Sequence, residues 1–159
     1  MATRRIRSRI LRPSSCRCRE GPRAMANDLA VITPYAASLG IAVHGDEDGI
    51  PILHVGGEEI TEGRPGFYHG GAISGLLETA GYAALRVALD AEGRKVQIKP
   101  INMTVQFLAP AKAAPLYAKA RITKLGRRNA NIAVECWQDD RERPRATAIM
   151  NVLLAESAG

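Results

Sequence analysis

Cysteine and aromatic residues are scarce in these 159 residues, and no long apolar run occurs anywhere along them. Each shortage excludes something. Three cysteines make no disulfide framework; Cys16 and Cys18 form a C-x-C pair with no second pair to complete a zinc site. Cys136 sits in an alternating apolar segment and reads as a small core residue. This usage predicts a reducing, cytoplasmic setting. A membrane-spanning helix needs about 18 consecutive apolar residues, and no such stretch is present. Aromatic residues make up only 4% of the chain, too few for a nucleic-acid stacking surface.

The body also lacks an excess of charge, although the whole chain carries +6. Residues 1–24 hold eight arginines and one acid, Glu20, which leaves 14 basic and 15 acidic residues for everything after them. The positive charge thus belongs to a tail, and no nucleic-acid or membrane partner is predicted from it. The tail has no apolar stretch of the length a secretory signal needs. Its arginines and serines resemble an organelle transit peptide, but Ile6, Ile10 and Leu11 make a poor apolar face. We read it as a basic, disordered extension upstream of Met25, the expected initiator, with one domain over residues 25–159.

Within the body, residues 27–40 predict one or two short helices stopped at Gly40. Residues 41–57 predict two short strands around the turn Gly45-Asp46-Glu47-Asp48-Gly49. A loop over 58–68 leads to a long helix from about His69 to about Ala91, closed by Gly93. Four strand-like segments follow, at 95–108, 116–126, 130–140 and 145–156, read as an antiparallel meander. Pro100 restricts the first of them to a sheet edge or a bulge.

The long helix carries a question. At 100° per residue, Ile73, Leu76, Leu77, Ala80, Ala84, Val87 and Ala88 form the stripe expected to pack on the sheet. Glu78 falls about 140° from the middle of that stripe. Its neighbours on that side, Gly71, Gly75, Tyr82, Leu85 and Leu89, are small or apolar, and the only other charges there are Arg86 and Asp90 near the end. A helix apolar nearly all round is buried on two sides, so Glu78 is expected in an interface or cleft. A partly buried carboxylate satisfied from elsewhere would look the same. Likewise Gly71 and Gly75 read either as room for a ligand or as close helix approach.

The run "GFYHGG" (66–71) opening the helix, with Glu78 eight residues after Gly70, resembles the hotdog-fold acyl-CoA thioesterases of the 4-hydroxybenzoyl-CoA and phenylacetate-pathway type. The strand "INMTVQFLAP" (101–110) and the turn and strand "GRRNANIAVE" (126–135) are similar to theirs as well, so that the resemblance covers residues 40–156. It implies an α+β architecture, a long central helix wrapped by a curved antiparallel sheet, working as a dimer or a dimer of dimers. It also implies roles. Gly70 would present a backbone N–H to the thioester oxygen, Glu78 would be nucleophile or general base, and His69 would orient or polarise the carbonyl. Many relatives have Asn or Gln six residues before the histidine of this motif, where this chain has Gly63. Either a side-chain donor to the carbonyl is missing here, or Glu62 or Arg64 repositions to compensate.

The roles make chemical sense. Attack on a thioester builds negative charge on its oxygen, and unpaired N–H groups at a helix N-terminus stabilise that charge. Eight residues at 1.5 Å each separate Gly70 from Glu78 by about 12 Å, too far for one carbonyl to reach both. If both serve one substrate, they come from different subunits, and the side bearing Gly71, Gly75, Tyr82 and Leu85 becomes the dimer contact. Arg127 and Arg128 read either as contacts for coenzyme A phosphates or as solvated turn residues. Asn102 and Thr104 read as cleft or sheet-surface residues, and His44 and His54 as structural. The expected activity is hydrolysis of a small aryl- or medium-chain acyl-CoA, with no metal or cofactor beyond the coenzyme A of the substrate. A non-catalytic acyl-CoA-binding protein and an enoyl-CoA hydratase or dehydratase are the alternatives.

Overall fold

The structure, a computed structural model, describes residues 32–156. The basic segment 1–24, Met25 and the first part of the predicted 27–40 helix lie outside the described residues. Helix α1 (Pro34–Ser38) starts with a proline and is capped by the Thr33 side chain, which accepts from the Ala36 N–H. Strands β1 (Ala42–Glu47) and β2 (Ile50–Val55) form the predicted hairpin, with Asp48 and Gly49 at positive φ in its turn. The region 58–68, predicted as a loop, contains a 3₁₀ turn at Glu59–Thr61 and a two-stranded ribbon, β3 (Glu62–Arg64) with β4 (Phe67–Tyr68).

Helix α2 (Gly70–Ala91) follows, then β5 (Val96–Phe107), β6 (Leu116–Leu125), β7 (Asn129–Trp137) and β8 (Ala146–Glu156). The main sheet has six antiparallel strands in the order β1-β2-β6-β7-β8-β5. The predicted four-strand meander is therefore corrected: β6, β7 and β8 run as a meander, but β5 pairs with β8 and not with β6. The connection over residues 108–115 carries the chain across, and β2 takes the place beside β6. Buried Gln138 braces that connection, accepting from the Lys112 N–H and donating to the Lys112 carbonyl. Pro100 sits where it was expected, on an edge strand, with the β5–β8 register shifting between Pro100 and Asn102.

The helix lies over β6, β2 and β7, and one apolar layer fills the space between. Leu76, Leu77 and Leu85 of the helix are fully buried with Leu53, Leu116 and Ile132 of the sheet. Burying each such side chain stabilises the fold by about 1.5–3 kcal/mol. The approach is closest at Gly81, where an added Cβ would lie 2.2 Å from the Met150 sulfur. The helix stripe is also corrected. Leu85 and Leu89, assigned to the side of Glu78, are core residues, whereas Val87 and Ala88 are only half-buried. The curved sheet wraps further round the helix than a flat one would. Cys136 is a core residue as predicted, and burial pushes its thiol up to about 12.

This is the hotdog fold: a long central helix packed against a curved six-stranded antiparallel sheet. Among the described residues, no helix is long and apolar enough to cross a membrane.

Candidate active site

The start of α2 is where the backbone is left open. His69 is the N-cap, and its ring Nδ1 accepts from the Gly71 N–H at 2.9 Å, which places the proton of a neutral imidazole on Nε2. The Ala72 and Ile73 N–H groups both reach the His69 carbonyl, at 3.0 and 3.2 Å. Of the first N–H groups of the helix, that of Gly70 has no acceptor among the described residues. Helix ends leave such donors, and the aligned peptide dipoles behind this one make it a fit for an oxyanion. Gly71 has a local reason to be glycine, because a Cβ there would lie 2.9 Å from the capping Nδ1.

Gly70 borders a cavity of about 410 Å³, whose wall includes Arg64, Phe67, Ile73, Phe107 and Leu108. A Cβ on Gly70 would meet the Phe107 ring at 3.2 Å, so glycine keeps the backbone exposed to the space beneath that ring. Gly63 packs on His69, where a Cβ would come within 2.9 Å of the His69 Cα. No amide side chain fits there without displacing the cap. Of the two candidates to compensate, Glu62 is turned away, accepting from the Gly66 N–H at 3.0 Å. Arg64 remains, lying over the Phe67 ring at 4.2 Å and lining the Gly70 cavity.

Two turns along the helix, Glu78 opens onto a second cavity of about 350 Å³ with Thr33, Tyr35, Thr79, Tyr82, Arg86 and Ile98. Glu78 is half-buried, and it forms no ion pair among the described residues. Tyr82 is its neighbour: burial pushes the phenol above its ordinary value, and the Glu78 carboxylate raises it further. Thr79 does not compete for the acid, since its hydroxyl donates to the Gly75 carbonyl at 2.7 Å.

The predicted site residues thus fall in four places. His69, Gly70 and Gly71 share the helix start, and Glu78 stands apart in its own cavity. Arg127 and Arg128 are exposed in the β6–β7 turn and line neither cavity. Gly75 also lines neither. It is buried beneath α1 of its own chain, where a Cβ would lie 2.9 Å from Leu39 and 3.4 Å from Tyr35. Its smallness admits that helix, the close helix approach of the two readings, and with Leu85 in the core neither residue is free for the dimer contact expected on that side. Asn102 lies on the sheet in a side-chain ladder, its amide oxygen accepting from Asn151, which in turn accepts from Asn131. His44 and His54 pack with Tyr117 on the sheet, apart from both cavities.

Sequence reasoning did not name Phe107 beside Gly70 or Tyr35 beside Glu78. Their places depend on contacts between segments distant in the chain.

Residues 65–144 match the family described as the Thioesterase superfamily. The chain belongs to that superfamily. Solved structures share its fold. A protein of Chromobacterium violaceum is 27% identical, with 84% of this chain and 91% of that one covered at a TM-score of 0.64. A phenylacetic acid degradation-related protein of Ralstonia eutropha JMP134 is 22% identical, with 76% and 90% covered and a TM-score of 0.65. A thioesterase of Haemophilus influenzae is 16% identical, with 80% and 87% covered and a TM-score of 0.71. Among curated proteins none matches the chain.

Proposed function

We propose that this superfamily member hydrolyses an acyl-CoA, of small aryl or medium acyl chain, to the free acid and coenzyme A at a site shared by two protomers. The observation that carries the reading is the separation of two complementary parts. Gly70, whose N–H has no acceptor among the described residues, lines one cavity, and Glu78 lines another, about 12 Å along the same helix. Two helices antiparallel about a two-fold axis would bring the donor of each chain beside the acid of the other, twice. The edge of β5 supports such pairing: it is 12 residues long, and Ile101 and Phe107 along it are exposed, with Leu108 just beyond.

In that arrangement the thioester oxygen lies on the Gly70 N–H, and Arg64 replaces the amide donor for which Gly63 leaves no space. Glu78 of the other chain takes a proton from water as its oxygen bonds the carbonyl carbon. The carbon–sulfur bond then breaks, and the proton leaves on the coenzyme A thiol. Direct attack by Glu78 would give an anhydride that water opens, with the same products. No metal or further cofactor enters this scheme.

The second reading is a protein that binds acyl-CoA without turning it over, favoured by the packing of Gly63 on His69. The experiment is free-thiol release from a panel of aryl- and fatty acyl-CoAs. Glu78→Ala should lower kcat by about 10²–10⁴-fold with ligand binding retained. Tight binding with no thiol release in the wild type would instead establish the binder. An absorbance change on an enoyl-CoA would establish a hydratase.

A further inference from the structure

Resting on the acyl-CoA reading, we infer that Arg94 is a positioning residue for coenzyme A, holding the β6–β7 turn so that Arg127 and Arg128 meet its phosphates. The arrangement begins at the end of α2. Gly93 adopts φ +65°, the Gly93 N–H donates to the Asp90 carbonyl, and the Arg94 N–H donates to the Leu89 carbonyl. This helix stop reverses the chain and directs Arg94 toward the β6–β7 turn, over thirty residues away in sequence. There its Nη1 donates to the Gly126 carbonyl at 3.0 Å and its Nη2 to the Arg127 carbonyl at 2.7 Å.

The next carbonyl, that of Arg128, accepts from the Leu154 N–H at 2.9 Å, and the Gly126 N–H closes the turn on the Asn129 carbonyl at 2.8 Å. Three successive carbonyls are therefore occupied, and the backbone of the turn is fixed. The side chains of Arg127 and Arg128 are exposed. They form no ion pair among the described residues. Arg94 itself is a poor phosphate ligand, because Glu92 pairs with its Nη1 at 3.2 Å and both of its Nη atoms already donate to carbonyls of the turn. A planar guanidinium grips two adjacent carbonyls, whereas the compact ammonium of a lysine reaches one. Two adjacent guanidinium groups rooted in one fixed backbone suit the pyrophosphate and ribose phosphate of coenzyme A.

The test compares two thioesters of the same acyl group, one of coenzyme A and one of N-acetylcysteamine, which has no phosphate. Arg94→Ala should raise KM for the coenzyme A ester about five- to tenfold, leave kcat unchanged and leave the short thioester unaffected. The double variant Arg127→Ala/Arg128→Ala should show the same split, and adding Arg94→Ala to it should raise KM no further. Arg94→Lys, included in case the alanine variant folds poorly, should fall between wild type and Arg94→Ala. The rise of the wild-type KM with salt should flatten in both the single and the double variant. An unchanged KM in both Arg94 variants, with a raised one in the double variant, overturns the inference and leaves the phosphate contact standing. Equal losses on both thioesters reduce Arg94 to a structural role and also overturn it. An unchanged KM in the double variant removes the phosphate contact and this inference together, while the Glu78 experiment still judges hydrolysis.

Discussion

At the start of α2 the Gly70 N–H has no acceptor among the described residues, and Gly70 borders a cavity. At its end the Leu89 and Asp90 carbonyls are both taken, by the Arg94 and Gly93 N–H groups. The first end is stripped of side chains, with two glycines behind a histidine cap. The last end is crowded with charge, and its arginine reaches into a neighbouring hairpin. The contrast teaches that one helix serves two purposes, with backbone polarity left available where charge must develop and cancelled where geometry must hold. A change at the first end should therefore strike turnover, and one at the last end should strike stability.

The largest effect is expected at the first end. Gly70→Pro removes the N–H in question while suiting the first helical position, and the preceding His69, at φ −70° and ψ 138°, already has a backbone compatible with a following proline. It should lower kcat about a hundredfold or more while leaving the helix intact by circular dichroism. Co-expressing it with Glu78→Ala should return roughly a quarter of wild-type activity, since half the dimers are mixed and each has one intact site. No recovery would sink the shared site and place donor and acid in a single chain's service.

A smaller effect is expected at the other end. Gly93→Ala forces a side chain into the left-handed region and should destabilise the protein by about 1–2 kcal/mol, read from chemical denaturation. Its kcat at 25 °C should match the wild type. A large fall in kcat with unchanged stability would erase the distinction between the two ends.

The smallest effect should come from charge remote from both ends. Glu47 bonds Lys119 and Arg141 on the sheet, and those two cations hold its carboxyl at about 2 against an ordinary 4.5. A lowered folded value means the ionised acid stabilises the fold above pH 4.5, and this is lost as pH falls toward about 2. Glu47→Gln should therefore melt slightly below the wild type at neutral pH, with the gap closing over that acid window. Turnover should not change.

How much of this was legible in the sequence depended on the range of the forces involved. The bounds of α2 were readable to within a residue, because His69 and Gly93 are local stop signals. Pro100 announced an edge or a bulge for an equally local reason, its missing N–H, and the structure has both. The partner of β5 was misread, since nothing in residues 96–107 states that β8 lies beside them. Leu85 and Leu89 were misassigned because a helical wheel does not contain the curvature of the sheet. At the candidate site, Gly70 and Glu78 were singled out through the resemblance carried by "GFYHGG" and the acid eight residues on, since composition and periodicity left Glu78 between a cleft and a satisfied carboxylate. Gly75 was legible as room for a ligand or for a helix, and which of the two could not be read locally, since what it makes room for arrives from residues 35 and 39.

That last contact carries further than packing. Thr33 and Tyr35 stand in the wall of the chamber that holds Glu78. The five-residue helix they introduce also roofs the second turn of α2. Trimming the front of the chain back to Ile41 would remove no strand, yet it would take buried Ala36 from the core, expose a groove along the helix and open the acid to bulk water from a new direction. The residues that look most dispensable in the described fold are, on this account, a shutter.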